Sequence, residues 1–445
     1  MASAAEQMAA NTSWAALVKA TDLRRRILFA LGMLIVYRVG TYIPVPGIDG
    51  LALREFMDTA AAGIGGMLNM FTGGAISRMG IFALGIMPYI SASIIMQLLT
   101  VVSPTLSRWK KDEGEAGRKK ITQWTRYGTV MITLVQGMGI SVGLEQMTSP
   151  DGASVVIEGG WAFRLTTVFT LTAGTIFIMW LGERITARGL GNGISLIIFA
   201  GIVAGFPGAL ANVYQLFTAG ELTLFMGIFV LAIVVGVLLF IVFVERGQRR
   251  LPIHYAKRMM GRKMYGGQTS HLPLKLNTSG VIPAIFASSI LMFPATIASF
   301  SQAGFLEMVA NHLQPESLVY NVIFVALIIF FCFFYTAIIF DPKDIAENLK
   351  KQGGFIPGIR PGLRTKEYID AVLSRLTFSG SIYLSLVCVL PVFMIREFNV
   401  PFYYGGTALL IVVVVAMDTM SQFQSHLISR HYEGLMTKTR IKGRR

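Results

Sequence analysis

Ten stretches of roughly twenty apolar residues run along this chain, near Ile27–Tyr42, Met79–Val102, Tyr127–Leu144, Leu165–Leu181, Ile194–Val213, Leu222–Val244, Asn277–Phe300, Leu318–Phe340, Leu376–Ile395 and Phe402–Met420. Each is long enough to cross a bilayer as a helix, which predicts an all-α polytopic membrane protein of ten transmembrane helices. Two of the stretches share a nine-residue frame, Gly-x-x-Pro-x-Ile-x-Ala-Ser, at Gly85–Ser93 and again 195 positions later at Gly280–Ser288. Gly/Pro-interrupted segments in corresponding positions of two halves point to where a membrane protein works. Five spans fall in each half.

The polar connections set the orientation. Of the 39 Lys and Arg residues, 34 lie before the first span, in the even-numbered connections, or after the tenth span. Arg38, Arg54, Arg78, Arg164 and Arg396 are the exceptions. The positive-inside rule then puts both termini in the cytoplasm. The first repeat lies in span two, running inward, and the second in span seven, running outward, so the halves are related by inverted topology. Arg24–Arg26 ahead of an apolar run has the outline of a signal peptide, but no small-residue cleavage site follows, so a retained first helix is expected.

Composition agrees. The chain is 53% hydrophobic and 14% charged with a mean hydropathy of +0.60, against about 25% charge in soluble domains. Five long apolar tracts, among them Ile81–Ser107, Leu276–Leu306 and Ser317–Phe340, hold no Asp, Glu, Lys, Arg or His. Coupled transporters keep ionisable groups at mid-membrane. Hydrolase motifs and a nucleotide phosphate loop are absent as well, so an enzyme is not expected and an energy source must come from another molecule. Cys332 and Cys388 both fall within spans and have no His neighbours, so neither a disulfide framework nor a metal or other cofactor is expected.

An uncharged passage beside cationic cytoplasmic loops reads as a conduit whose partners dock from inside. Trp109–Lys120, and Glu245–Lys275 with eight cations against one acid, suit anionic lipids, an acidic protein or structured RNA. The same charges also satisfy topology alone. The second loop, containing Pro252, Gly261, Gly266 and Gly267, is longer than joining two helices requires. The alternative class is a secondary transporter of small solutes, against which the missing intramembrane charge counts; a lipid- or RNA-binding scaffold is a third.

The wording of these segments resembles the SecY family, the central subunits of the bacterial Sec protein-conducting channel, or translocon. The resemblance rests on Ile43–Asp49, Asn69–Ala75, Ala83–Ser93, Glu113–Lys119, Trp180–Glu183, Gly191–Ser195, Val244–Arg250, His271–Lys275, Phe355–Gly362 and Pro401–Thr407. It implies two inverted five-helix halves closed by a ring of aliphatic side chains and a re-entrant plug helix. The ring falls on Ile86, Ile90, Ile194, Ile198, Ile285 and Ile411. Such a ring resists water by dewetting. The plug falls within residues 65–77, on Gly65, Gly66, Asn69, Met70, Phe71, Gly73 and Gly74.

A lateral gate is implied between spans two, three, seven and eight. Pro88 and Pro283, each expected to weaken its helix by removing a donor, lie there with Ser91, Gln136 and Asn277. For docking, the resemblance favours Arg246, Arg249, Arg250, Lys257, Arg258, Arg262 and Lys263, and Lys350, Lys351, Arg360 and Arg364. The first set suits ribosomal RNA phosphates; a SecA-type motor ATPase is implied at both. Arg360 is bracketed by Pro357-Gly358 and Pro361-Gly362, which either aim it outward or let it cap a helix. SecE-like and SecG-like small membrane subunits, nascent or signal-bearing polypeptides and anionic lipids complete the expected partners, and the bacterial cytoplasmic (inner) membrane is the expected location. The implied domains are a tail over 1–22, halves over 23–215 and 216–422 with cytoplasmic loops at 245–276 and 341–375, and a basic tail over 423–445.

Overall fold

The structure, a computed structural model, describes residues 21–59, 69, 72–147, 154–220, 224–255, 258–260, 263–265, 269–299, 317–398 and 405–438. The helices are α1 (Thr21–Gly40), α2 (Gly50–Thr59), α3 (Met87–Val102), α4 (Pro104–Lys111), α5 (Gly114–Gln146), α6 (Trp161–Arg188), α7 (Gly193–Ala204), α8 (Phe206–Thr218) and α9 (Leu224–Arg246). After strands β1 (Gln248–Tyr255), β2 (Arg258–Met260), β3 (Lys263–Tyr265) and β4 (Thr269–Lys275) come α10 (Ile282–Ser299), α11 (Leu318–Ile339) and α12 (Pro342–Lys351). Strand β5 (Gly354–Phe355), α13 (Leu363–Phe398) and α14 (Gly406–Lys438) complete the chain.

Apolar runs become helices because a bilayer core offers no water to satisfy backbone N–H and C=O groups. Among the described residues, seven helical segments are long and apolar enough to cross a membrane: α5, α6, the α7–α8 run, α9, the α11–α12 run, α13 and α14. Large apolar side chains on α9, including Phe225, Ile228, Leu231, Leu239 and Phe243, are 60 to 81% exposed. Water does not tolerate such a surface, whereas lipid does. The chain is a multi-pass membrane protein.

Three of the ten expected spans lie outside these seven segments. Helix α1 covers most of the first span, with Arg24, Arg25 and Arg26 ahead of its apolar run and Arg38 near its end. Met79–Ile86 folds as turns, so α3 has 16 residues, and at Ser103 the chain bends by 103° into α4. Helix α10 starts at Ile282 instead of Asn277. The description all-α also needs correction, because five short strands fold in the two large loops that follow α9 and α11. Leu251 and Ile253 are buried and alternate with exposed Arg250 and Pro252, the period of two that a half-buried strand requires.

The described residues form two compact units, one drawn from Met1–Leu210, Ala295–Glu307 and Val415–Arg445, the other from Ala211–Pro294 and Met308–Val414. In the first, α5 packs on α3 and α6, and α6 also on α1 and α7. One end of this unit is sealed by Val45, Leu53, Met79, Leu84, Leu144, Val155 and Phe163. There the Glu145 carboxylate accepts from the Gly160 amide at 2.8 Å and from Arg164 Nε at 2.9 Å, closing the connection from α5 to α6.

In the second unit α13 packs on α11 and α12. A three-stranded antiparallel sheet, ordered β4-β1-β5, joins the two loops, with register Gln248↔Lys275 through His254↔Thr269 and His254↔Phe355. Its inner face, Leu251, Ile253 and Leu274, shares a core with Leu349, Ile356, Ile369 and Leu373. Separate loops on paper are thus one folded body. β2 and β3 pair with each other.

Candidate functional site

The two copies of the repeated frame adopt the same local geometry. Gly85 and Gly280 have φ of 56° and 64°, a left-handed conformation that side chains with a Cβ adopt at a cost. Each is followed two positions later by the first residue of a helix, Met87 of α3 and Ile282 of α10. Pro88 and Pro283 therefore sit in the first turn. A proline there gives up an amide that has no intrahelical partner anyway, so neither proline weakens its helix, contrary to the expectation from sequence. The break comes from the glycine.

The six isoleucines are carried by four helix starts. Ile86 caps α3 and Ile90 lies one turn further; Ile194 and Ile198 are likewise four residues apart at the start of α7. Asn192 fixes that start by accepting from the Ile194 amide at 3.1 Å. Spacing of four puts each pair on one helix face. Ile86, Ile90 and Ile198 are buried and Ile194 is half-buried. These four belong to the first unit, whereas half-buried Ile285 in the first turn of α10 and fully buried Ile411 in α14 belong to the second. Ile90 and Ile285 occupy the same place in the repeat.

Of the plug residues, Gly65, Gly66, Met70 and Phe71 lie outside the described residues. The Asn69 carbonyl accepts from the Gly74 amide at 2.8 Å, and Asn69 Oδ1 accepts from the Ser77 amide at 3.0 Å. Gly73 and Gly74 are both left-handed, with φ of 67° and 84°. Two neighbours on α1 hold the same turn from outside it. Tyr37 Oη donates to the Thr72 carbonyl at 3.3 Å, and Arg38 donates to the Gly73 carbonyl. The sequence places Arg38 only among the external charges and gives Tyr37 no mark, because no local signal reveals a bond across 35 positions.

The gate residues differ in state. Pro88 is buried and Ser91 half-buried on α3; Gln136 on α5 keeps Oε1 buried without a hydrogen-bond partner. Asn277, in the other unit with Pro283, is 2% exposed and fully engaged. Its Nδ2 donates to Glu245 Oε1 at 2.7 Å and to the Gly280 carbonyl at 3.1 Å, and its Oδ1 accepts from Ser279 Oγ at 3.1 Å. Another link missed in the sequence joins Arg126 of α5 to Glu183 of α6, through two bonds of 2.9 and 2.7 Å.

The docking cations divide by strand geometry. Arg246 ends α9, and Arg249 and Arg250 are adjacent in β1, so they project to opposite faces. Arg250 shares the outward face with His254, and their cross-strand partners Pro273 and Thr269 put His271 and Lys275 on it too. Arg258 lies on β2 and Lys263 on β3; Lys257 and Arg262 lie outside the described residues. Lys350 and Lys351 are exposed and Lys350 lies in the last turn of α12, where cations favour the helix dipole. Arg364 is partly neutralised by Glu367 at 3.1 Å. Exposed Arg360 stands between Gly358 and Gly362, with φ of 78° and 108°, and its carbonyl accepts from Thr365 Oγ1 at 3.0 Å.

Known proteins match this chain along nearly all its length. The protein translocase subunit SecY of Escherichia coli strain K12 is 54% identical over 426 residues, covering 95% of this chain and 96% of the relative. Two solved structures share the fold: a protein-conducting channel, with a TM-score of 0.62 at 19% identity over 94% of this chain and 95% of that one, and Sec61 from the canine ribosome–channel complex of the endoplasmic reticulum, at 0.58 and 17% over the same shares. The family model described as SecY matches residues 80–420. With its paired glycine-hinged helix starts and a family match over most of its length, this chain belongs to the SecY family.

Proposed function

We propose that this chain forms the pore of a protein-conducting channel, which passes unfolded polypeptides across the cytoplasmic membrane and releases apolar segments sideways into lipid. The observation that carries this is 54% identity to a translocase subunit over 95% of the chain. It has no catalytic role in this account; the work is done by partition. A passing stretch of about 20 apolar residues lowers its free energy by entering lipid, whereas a polar stretch continues through the pore. A transporter of small solutes has no support in the matched family or in the structural neighbours.

In this account ten helices cross the membrane in two inverted halves, over 23–215 and 216–422, with both termini in the cytoplasm. The paired hinges at Gly85 and Gly280 support the inverted repeat, and the distribution of Lys and Arg supports the orientation. Ile86, Ile90, Ile194, Ile198, Ile285 and Ile411 form the constriction. Ile86 with Ile90 and Ile194 with Ile198 are i,i+4 pairs at helix starts and Ile285 lies in the first turn of α10, so these can part without unfolding a helix. The segment 65–77 is the plug, and the clasp of Tyr37 and Arg38 on its end supports a seated resting position. Ser91, Gln136 and Asn277 line the gate, where bonds of about 1 kcal/mol close it reversibly.

Docking uses the sheet-joined loops. Ribosomal RNA phosphates meet Arg246, Arg249, Arg250, Lys257, Arg258, Arg262 and Lys263; a motor ATPase uses these together with Lys350, Lys351, Arg360 and Arg364. The canine structure of similar fold is a ribosome-bound complex, which supports the first pairing. Small SecE-like and SecG-like subunits and anionic lipids complete the assembly. Reconstitution tests the whole: proteoliposomes holding this chain, a small partner and a motor ATPase should protect an added preprotein from protease only when ATP is present. Protection that never rises above that of empty vesicles sinks the proposal.

A further inference from the structure

The base of the basic hairpin and the hinge of α10 are held by one side chain. The hairpin closes where the Leu276 amide donates to the Gly247 carbonyl at 2.9 Å, directly after the β1–β4 register ends at Gln248↔Lys275. The next residue is Asn277. Its single amide nitrogen donates both to the Glu245 carboxylate, on the last turn of α9, and to the carbonyl of Gly280, the left-handed hinge.

Freedom and constraint are unevenly distributed around it. A Cβ on Gly380 of α13 would lie 3.1 Å from the Leu276 carbonyl and 3.5 Å from Asn277 Cα, so the chain is pressed against that helix. Thr278 Oγ1 lies 3.2 Å from Thr336 Oγ1, which accepts from Thr377 at 3.4 Å. Residues 276–278 are thus pinned. At Gly280 a Cβ would meet nothing within 4 Å. The backbone at Gly280 itself is uncrowded, and the Asn277 bond to its carbonyl holds it.

Glu245 sets where that amide points. A carboxylate at 8% exposure at the end of an apolar helix is a costly placement. We infer that Glu245 is a positioning residue: through Asn277 its carboxylate holds the Gly280 hinge, and with it the first turn of α10, in register with the base of the hairpin. The inference rests on the docking role proposed for the hairpin, because it supplies the route by which docking reaches Ile285.

Hydrogen exchange of the full chain in nanodiscs reads this at two amides, Ala284 and Ile285, which both donate to the Val281 carbonyl at 3.1 and 3.2 Å. Glu245→Ala should raise their exchange about tenfold, while Glu245→Gln, which keeps the acceptor oxygen, should leave it near the parent value. The decisive variant combines Glu245→Gln with Asn277→Asp. It restores the link between the two positions with donor and acceptor exchanged, but nothing at position 277 can then donate to Gly280. Its melting temperature should recover relative to Asn277→Asp alone while exchange at Ala284 and Ile285 stays raised.

If exchange recovers together with melting temperature, Glu245 only satisfies a buried bond and the inference is overturned. Unchanged exchange in Glu245→Ala overturns it as well. Ribosomes added to the parent chain should change exchange at the same amides and should not do so in Glu245→Ala. Ribosomes that fail to bind the parent chain count against the docking role, and the resting-state comparisons still decide the linkage.

Discussion

Gly85 and Gly280, 195 positions apart, hold the same left-handed backbone, with φ of 56° and 64°, and each starts a helix two residues later. The equivalence supports the proposed inverted repeat by conformation as well as by wording. It also predicts unequal costs. Alanine at either position pays about 1–2 kcal/mol for the left-handed backbone. At position 85 a Cβ would in addition lie 3.1 Å from Thr72 Cγ2, whereas at 280 it meets open space. Gly85→Ala should therefore lower the unfolding temperature of the purified protein more than Gly280→Ala. Equal losses would show that Thr72 moves aside.

The constriction should leak when its side chains are trimmed. Replacing Ile86, Ile198 or Ile285 by Gly or Ser should leave the protein folded and raise ion conductance through the resting channel, because a wider ring wets. Conductance in planar bilayers is the readout. Several combined substitutions with no added leak would remove these residues from the pore.

The gate should be lockable. Cysteines placed at Ser91 and across Asn277–Ala284 should include at least one pair that cross-links, with Cα atoms within about 7 Å. Locking that pair should block lateral release of apolar segments while leaving docking intact. A full scan without a cross-link would separate α3 from α10.

Much of this was legible along the chain because the signals are local. Apolar length marked seven of the spans, the repeat marked the hinges, and Pro-Gly pairs marked the turns beside Arg360. What escaped was set by distance in sequence. The clasp of Tyr37 and Arg38 on Thr72 and Gly73 spans 35 positions, and the pairing of His254 with Phe355 joins loops about a hundred positions apart. The strands themselves did carry a signal, the alternation of Leu251 and Ile253 with Arg250, Pro252 and His254. It was outweighed by the loop's charge and glycines. The prolines misled for another reason: their effect depends on helix register, and the helices begin only one residue before them.

Two kinds of docking should separate by mutation. Arg360→Glu should abolish motor-driven secretion while the channel still inserts, because it reverses charge at an exposed, turn-mounted contact. Charge reversal at Arg249, Arg250 and Lys257 should instead weaken ribosome binding, and that binding should fall steeply with salt as phosphate contacts release counterions. Titrations with ribosomes and with the motor, each at two ionic strengths, distinguish these from loops that serve topology alone.

The central claim is that a polypeptide passes through the isoleucine ring. A photo-reactive residue placed singly at Ile86, Ile198, Ile285 and Ile411, in channels holding a stalled translocating chain, tests it most directly. The account predicts that all four positions cross-link to the polypeptide, while probes at exposed Phe225 and Phe243 of α9 do not. Cross-links from α9 with none from the ring would contradict it.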